Sequence, residues 1–218
     1  MTCIPAPRFL ARAITLSATL LLAACATQPL VLDDPDWLRH QTSVDSLQHW
    51  ELSGRLNVRQ NDQSDTVNIN WLQQDTAFDL RLNSSVLGLG AVHAYGVPTQ
   101  VTVEKAGEEP ATLPGLGAVT QEYFGYELPA ARLLYWVRGL PAPGLRGSNT
   151  FNANGMLATL RQVDEAGLEW NLVFDRYLPL NGGTGMVYLP GRIVIQREGL
   201  QLRFLINTWQ VPASTTAP

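Results

Sequence analysis

Cys25 is the residue of this chain whose neighbours most clearly predict a chemical reaction. It follows two alanines and an apolar run over residues 13–22, and Arg8 and Arg12 precede that run. The run is long enough for the core of a signal peptide and short for a membrane span of ~20 residues. We therefore expect cleavage before Cys25, a diacylglyceryl group on its thiol and an acyl group on the freed amine.

This interpretation divides the chain into four parts. They are a cleaved signal peptide (residues 1–24), a lipidated tether (25–33), one domain (34–211) and a disordered tail (212–218). Ala26, next to the cysteine, favours the outer membrane, because aspartate at that position is the usual inner-membrane retention signal in enteric bacteria. A plain secretory signal and a single anchor helix remain the alternatives.

The charge balance of the mature chain argues against some partners. Of the 15 basic residues, Arg8 and Arg12 lie in the leader, so the mature chain carries 13 against 19 acidic residues, a formal charge of −6. Lys105 is its one lysine, and it has no basic block. Such a surface argues against nucleic acid and against electrostatic binding to anionic lipid. With Cys25 lipidated, no cysteine remains for a disulfide or a metal site. We expect a monomer whose only added groups are the acyl chains.

Residues that could act in catalysis are scattered along the chain. His40, His49 and His93 share no metal-ligand spacing, and the glycine-rich stretches lack the helix and lysine of a phosphate loop. Asp164 and Glu165 precede a glycine and predict a solvated turn. An enzyme of this size usually shows a nucleophile with a base, paired carboxylates or a ligand cluster. We therefore expect a binding protein, with an esterase of dispersed active site as the enzymatic alternative.

Alternation of apolar and polar residues predicts an antiparallel sheet. From Trp50 to Val58 every second residue is apolar or glycine, and turn-forming residues follow at 61–64. Similar stretches recur at residues 66–71, 78–83, 91–95, 100–104, 157–163, 168–174, 185–189, 192–196 and 201–208. A sheet of about ten strands should curl, and its apolar face needs a cover.

Helical segments are predicted to supply that cover. Asp34 and Pro35 are a cap and a first-turn proline for a helix that ends near residue 48. In a central insert the two-residue period is lost, and residues 119–126 and 129–138 predict two helices.

Short motifs follow one another in a characteristic order through the domain. They are Gly54-Arg55, Val86-Leu87-Gly88, Leu128-Pro129, Trp136 to Pro141, Trp170 to Phe174, Leu189-Pro190 with Arg192-Ile193, and Asn207-Thr208-Trp209. Together with the cysteine signal they resemble the LolB family of outer-membrane lipoprotein receptors, over roughly residues 50–211. The resemblance implies a mainly β fold, an incomplete antiparallel β-barrel of about eleven strands with a short α-helical lid over an apolar cavity.

The resemblance also implies partners and a location. The family takes acylated lipoproteins from the periplasmic carrier LolA and inserts them into the outer membrane. We therefore expect LolA, the cargo and the outer membrane of a Gram-negative cell as partners, with the chain facing the periplasm. In the family a leucine in the loop after the third strand projects to solvent and assists insertion. Leu87 matches it here, between Val86 and Gly88, and Val86 stands where the family often has proline.

Large apolar residues are the candidates for the wall and lid of an acyl-chain cavity. They are Trp71, Phe78, Leu133, Trp136, Trp170, Phe174, Phe204 and Trp209. Core packing is the alternative for each, because a cavity wall and a core have the same composition. Two other functions stay open: a lipid-anchored barrel for another apolar ligand, such as a fatty acid or a phospholipid, and a structural envelope lipoprotein with a filled interior.

Overall fold

The computed structural model describes residues 30–84, 90–125, 128–182 and 185–211. Its helices are α1 (Pro35–Asp45), α2 (Leu116–Phe124) and α3 (Ala130–Trp136). Its strands are β1 (His49–Gln60), β2 (Gln63–Gln74), β3 (Ala77–Ser84), β4 (Gly90–Val97), β5 (Gln100–Lys105), β6 (Ala111–Leu113), β7 (Arg146–Phe151), β8 (Leu157–Val163), β9 (Glu169–Asp175), β10 (Leu178–Asn181), β11 (Met186–Leu189), β12 (Arg192–Arg197) and β13 (Leu200–Gln210). Within these ranges, none of the helices combines the length and the apolar character that crossing a bilayer would require.

Most of the strands belong to one antiparallel sheet. Eleven strands pair in the order β6-β5-β4-β3-β2-β1-β13-β12-β9-β8-β7, and β10 pairs with β11 in a separate hairpin. Strands β6 and β7 are the two edges of the large sheet, so the barrel is incomplete. The predicted mainly β fold of about eleven strands is confirmed.

Alternation alone misses the strands β6, β7 and β10. Strand β7 reads Arg-Gly-Ser-Asn-Thr-Phe, almost without apolar residues. It forms because its backbone pairs with β8, from Arg146 opposite Val163 to Phe151 opposite Leu157. An edge strand exposes one side to solvent, and it therefore needs less apolar alternation than a central strand.

Three hairpin turns lie together at one end of the large sheet, which we call the loop end. They are the turns between β1 and β2, between β8 and β9, and between β12 and β13. The amide of Asn61 donates to the carbonyl of Gly199 there, at 3.1 Å. Ser84 and Gly90 pair at the same end. The connection from β3 to β4 therefore begins and finishes at the loop end.

Helix α1 lies at the opposite end of the sheet, which we call the α1 end. Asp34 caps the helix by accepting hydrogen bonds from the amides of Asp36 at 2.9 Å and Trp37 at 3.0 Å, as the sequence predicts. The Trp37 indole is fully buried and stacks on Phe151, with 5.4 Å between the ring centroids. The turns between β2 and β3 and between β7 and β8 are at this end.

The inner face of the curled sheet is apolar. Its central strands bury Leu52, Leu56, Val58, Val67, Ile69, Leu80, Leu82, Leu202, Phe204 and Ile206. Helices α2 and α3 cover this face and bury Leu116, Val119, Leu133 and Trp136 against the same core. The expected helical lid is therefore present.

Candidate functional site: an apolar cavity under a two-helix lid

Beneath the lid the sheet encloses an apolar cavity of about 50 Å³. Its lining residues come from β1, β2, β3, β13 and the lid: Leu56, Val58, Val67, Ile69, Trp71, Leu80, Leu82, Phe204, Leu116, Thr120, Leu128 and Leu133. Because a water molecule takes ~30 Å³ in the liquid, the cavity in this conformation holds one or two groups of that size. An acyl chain of more than a dozen carbons does not fit unless the walls separate.

The wall of the cavity includes the indole of Trp71, which is held in place from β2. Its Nε1 donates to Oε1 of Gln73 at 3.2 Å, and Nε2 of Gln73 donates to the carbonyl of Asp75 at 2.8 Å. The ring also packs on Trp50, with 5.3 Å between centroids. The buried amide of Gln73 satisfies the polar atom of the indole, so that the apolar part of the ring can face the cavity.

Helix α3 is attached to β8 by a buried glutamine. Nε1 of Trp136 donates to Oε1 of Gln162 at 2.8 Å, and the same oxygen accepts the amide of Ala142 at 3.0 Å. Nε2 of Gln162 donates to the carbonyl of Ala142 at 2.8 Å. Trp136 and Gln162 are both fully buried. A buried amide whose hydrogen bonds are made in this way specifies one position for the helix.

A second attachment joins α3 to the turn between β8 and β9. Arg132 pairs with Asp164 at 3.2 Å and with Glu165. The Asp164 side chain is 6% exposed and also accepts Nε1 of Trp170 at 3.2 Å and the amide of Leu168 at 2.8 Å. Burial alone would raise the pKa of Asp164, but these hydrogen bonds and the charge of Arg132 hold that pKa below its ordinary value. The prediction of a solvated turn is wrong for Asp164, because α3 covers it.

Helix α2 is held mainly by apolar packing. Leu116 and Val119 are buried, and no side chain caps the start of the helix. The hydroxyl of Thr120 donates to the carbonyl of Gly117 at 2.9 Å and accepts the amide of Leu128 at 2.9 Å. These bonds lie within the lid, so among the described side chains they do not join α2 to the sheet.

The structure brings three of the predicted cavity residues together. Trp71, Leu133 and Phe204 all line the cavity, one each from β2, α3 and β13. The lipidation candidate Cys25 and the loop residues 86–88 lie outside the described residues.

The other predicted cavity residues pack beside the cavity rather than in its lining. These are Phe78, Trp136, Trp170, Phe174 and Trp209. Trp136 and Trp170 pack on each other, with 5.3 Å between centroids. Trp209 packs on Trp50 at 5.4 Å and donates to the carbonyl of Pro190 at 2.9 Å.

Sequence reasoning missed the buried polar residues that position the site. Gln73, Thr120 and Gln162 are each at most 7% exposed. Gln73 and Gln162 carried a signal, because each stands at an inward position of an alternating strand where an apolar residue is usual. Thr120 and Asp164 carried none that spacing could reveal, since their partners are chosen by the packing of the lid.

The histidines lie apart from the cavity. His93 contacts Asp79 at 2.9 Å and Glu104 at 3.3 Å on the outer face of the sheet. His40 lies on α1, and burial lowers its pKa to about 4, so it is neutral in the periplasmic pH range. In the part of the chain that the structure describes, no cluster of histidine, cysteine or acidic residues is arranged to hold a metal ion.

Comparison with known proteins identifies the family. Residues 48–209 match the family described as "Outer membrane lipoprotein LolB". The chain is 34% identical over 174 residues to the outer-membrane lipoprotein LolB of Stutzerimonas stutzeri, covering 80% of each chain. It is 32% identical over 210 residues to the protein of the same name from Pseudomonas savastanoi pv. phaseolicola, covering 93% of this chain and 97% of that one.

A solved structure shares the fold at very low sequence identity. A DUF1329 family protein from Desulfovibrio piger superposes with a TM-score of 0.51 at 8% identity, over 82% of this chain and 91% of that one. This likeness concerns the curled sheet alone. The extent of the family match and the identity to these relatives decide the assignment, and the chain belongs to the LolB family of outer-membrane lipoproteins.

Proposed function

We propose that this protein receives acylated lipoproteins from a periplasmic carrier of the LolA type and inserts them into the outer membrane. The observation that carries the proposal is the closed apolar cavity beneath a helical lid, in a chain of the LolB family. The protein acts by binding and release of acyl chains, without a catalytic step. Lipidation of Cys25 holds it on the periplasmic face of the outer membrane.

The need for such a cavity follows from the hydrophobic effect. A triacylated cargo carries on the order of forty methylenes, and each costs ~0.8 kcal/mol when it is exposed to water. Free passage through water would therefore cost tens of kcal/mol. Transfer from one apolar cavity to another of somewhat higher affinity avoids that cost and requires no nucleotide.

Acyl chains can enter only if the cavity expands. Its volume of about 50 Å³ is a small fraction of what several acyl chains need. Helix α3 is tied to β8 through Gln162 and to the following turn through Asp164. Helix α2 lacks such bonds to the sheet among the described side chains, so α2 is the part of the lid that moves away. Trp71, Leu133 and Phe204 then form the wall that the chains contact.

Delivery to the bilayer is assigned to the loop after β3. Leu87, with Val86 and Gly88, is the proposed insertion loop, and Ser84 and Gly90 place both of its ends at the loop end of the sheet. An exposed leucine there would lower the cost of disturbing the lipid surface while the cargo leaves the cavity.

The test is transfer in solution. The mature domain with Cys25→Ala is mixed with carrier that holds a fluorescently labelled lipoprotein, and the label is followed onto the domain and then into liposomes. Leu87→Glu is compared with Leu168→Glu, because Leu168 is a 46% exposed leucine in another turn of the loop end. We expect all three proteins to take the label and only Leu87→Glu to fail in delivery.

A second pair of variants tests the cavity itself. Val67→Phe fills the cavity from β2, whereas Val173→Phe adds the same group at a 47% exposed position on β9. We expect Val67→Phe alone to lose uptake of the label, with both variants folded by thermal melting. If no protein takes the label from the carrier, the receptor function is wrong, and a carrier of another apolar ligand or a scaffold becomes the better account.

A further inference from the structure

Residues 30–32, which precede α1, are held against the edge strand β7. The side chain of Asn149 accepts the amide of Val31 at 2.7 Å and donates from Nδ2 to the carbonyl of Val31 at 3.1 Å. Leu30 and Leu32 are half-buried and pack against the core. The Asn149 amide thus takes the place of a neighbouring strand, and the chain is attached to the domain from Leu30 onward.

The direction of this segment is set by its two ends. Val31 lies beside Asn149 in the middle of β7, whereas Trp37 lies beside Phe151 at the α1 end. The chain therefore runs towards the α1 end as it enters the helix. Followed backwards from Leu30, it points towards the loop end of the sheet.

The segment between the acylated residue and the attached residue is short. From Cys25 to Leu30 there are five residue steps, which span at most ~17 Å when fully extended. A membrane that holds acyl chains on Cys25 must therefore lie close to β7. Without the Asn149 attachment the free segment would extend to Asp34, and the domain could turn more freely.

The charges at the two ends of the sheet agree with this direction. Arg146, the first residue of β7, is exposed at the loop end and pairs with no carboxylate among the described residues. At the α1 end, Asp34 and Asp36 stand at the start of the helix. An anionic lipid surface attracts an unpaired arginine and repels carboxylates.

We propose that the loop end beside β7 faces the phospholipid headgroups of the membrane that holds the acyl chains, and that Asn149 sets this orientation. The inference rests on the proposed lipidation of Cys25. It places the free end of the anchor and the connection between β3 and β4 at the same end of the molecule.

The experiment measures distance to lipid at two turns. After cleavage the mature chain has no cysteine besides Cys25, so single reporter cysteines can be added at Glu198→Cys in the loop end and at Asn154→Cys in the α1 end. The lipidated proteins are reconstituted in vesicles of phosphatidylethanolamine and phosphatidylglycerol that carry a headgroup quencher, and a fluorophore is attached to each reporter. We expect quenching at position 198 to exceed quenching at position 154 several-fold.

Variants of the attachment complete the design. In Asn149→Ala we expect the difference between the two reporters to fall sharply, and in Asn171→Ala, an exposed asparagine on β9, we expect it to remain. Thermal melting checks that both variants fold. Equal or reversed quenching with Asn149 intact would overturn the orientation.

Flotation of the vesicles separates this inference from the function on which it rests. Protein that does not float with the vesicles would overturn the lipidation of Cys25 and the orientation together. Floating protein with the expected quenching, but without transfer activity, would leave the orientation standing and overturn the receptor function.

Discussion

Helix α3 reaches the sheet through hydrogen bonds and ion pairs, whereas α2 reaches it through apolar packing. On α3, Trp136 bonds to Gln162 in the core and Arg132 pairs with Asp164 at the loop end. On α2, the only polar side chain that is buried is Thr120, and its partners lie within the lid among the described residues. Apolar packing is not directional, so α2 can slide or lift without leaving a buried polar atom unpaired.

The difference teaches how one lid can be both stable and able to open. A helix that is tied at both a core amide and a buried carboxylate moves only at the cost of several unsatisfied groups. A helix that is held by packing alone exchanges its contacts with the sheet for contacts with an apolar ligand. Acyl chains that enter the cavity can therefore replace the surface that α2 covers, while α3 stays in place.

The largest effect is expected from Gln162→Leu. The change leaves the Trp136 indole and both backbone groups of Ala142 buried without partners, and each such group costs about 1–3 kcal/mol. We therefore expect the free energy of unfolding to fall by about 3 kcal/mol or more. Urea unfolding measures it, and Gln196→Leu on the exposed face of β12 should stay within about 0.5 kcal/mol of the wild type. Equal stabilities would show that Gln162 does not fix α3.

A smaller, pH-dependent effect is expected from Asp164→Asn. Because its pKa is lowered, the Asp164 carboxylate stabilises the folded state fully above the ordinary value of 3.8, and this contribution is lost as the pH falls through the lowered value. At neutral pH the variant should lose about 1–2 kcal/mol, since hydrogen bonds to a charged group are replaced by weaker ones. The two proteins should approach equal stability at about pH 2. Urea unfolding at both pH values tests this, and a pH-independent difference would contradict it.

Thr120→Val tests the loosely held helix. It removes the acceptor for the amide of Leu128, and we expect a local cost of about 1 kcal/mol. Hydrogen exchange should become faster in α2 and stay unchanged in α3, and uptake of a labelled acyl chain should become faster. Thr120→Ser keeps the hydroxyl and serves as the control. Equal acceleration in both helices would mean that the lid opens as one unit.

The smallest effect is expected at the end of α2. Gly125 and Gly139 end α2 and the segment after α3 with similar positive φ angles, 76° and 77°. A Cβ at Gly125 would meet open space, whereas a Cβ at Gly139 would lie 3.0 Å from Cγ of Pro190. Gly125→Ala should cost only about 1 kcal/mol for the left-handed conformation, and Gly139→Ala should cost more. Thermal melting of the two variants compares them, and equal losses would contradict the looser packing of α2.

Much of the sheet could be predicted because its signal is local. In β1, β2 and β3 every second residue faces the core, so the period of two is visible along the chain. The start of α1 was equally clear, since Asp34 and Pro35 are neighbours in sequence. Strand β7 gave no such signal, because it is stabilised by pairing with β8 and by the N-terminal segment on its other side.

The candidate site was harder to predict, and its residues show why. Trp71 and Phe204 line the cavity, while Phe174 and Trp209 are equally apolar and pack elsewhere. Gln162 bonds to Ala142, which lies 20 positions away. Neither distinction is visible in the spacing of residue types.

The sequence by itself determined the family, the curled antiparallel sheet and the presence of a helical insert, because periodicity and ordered motifs are properties of the chain read in order. Only the tertiary structure decided which apolar residues line the cavity, which lid helix is tied down and where the N-terminal segment is attached. Cavity walls and cores share one composition, and the partners of Gln162, Asp164 and Asn149 are selected by packing between segments distant in sequence.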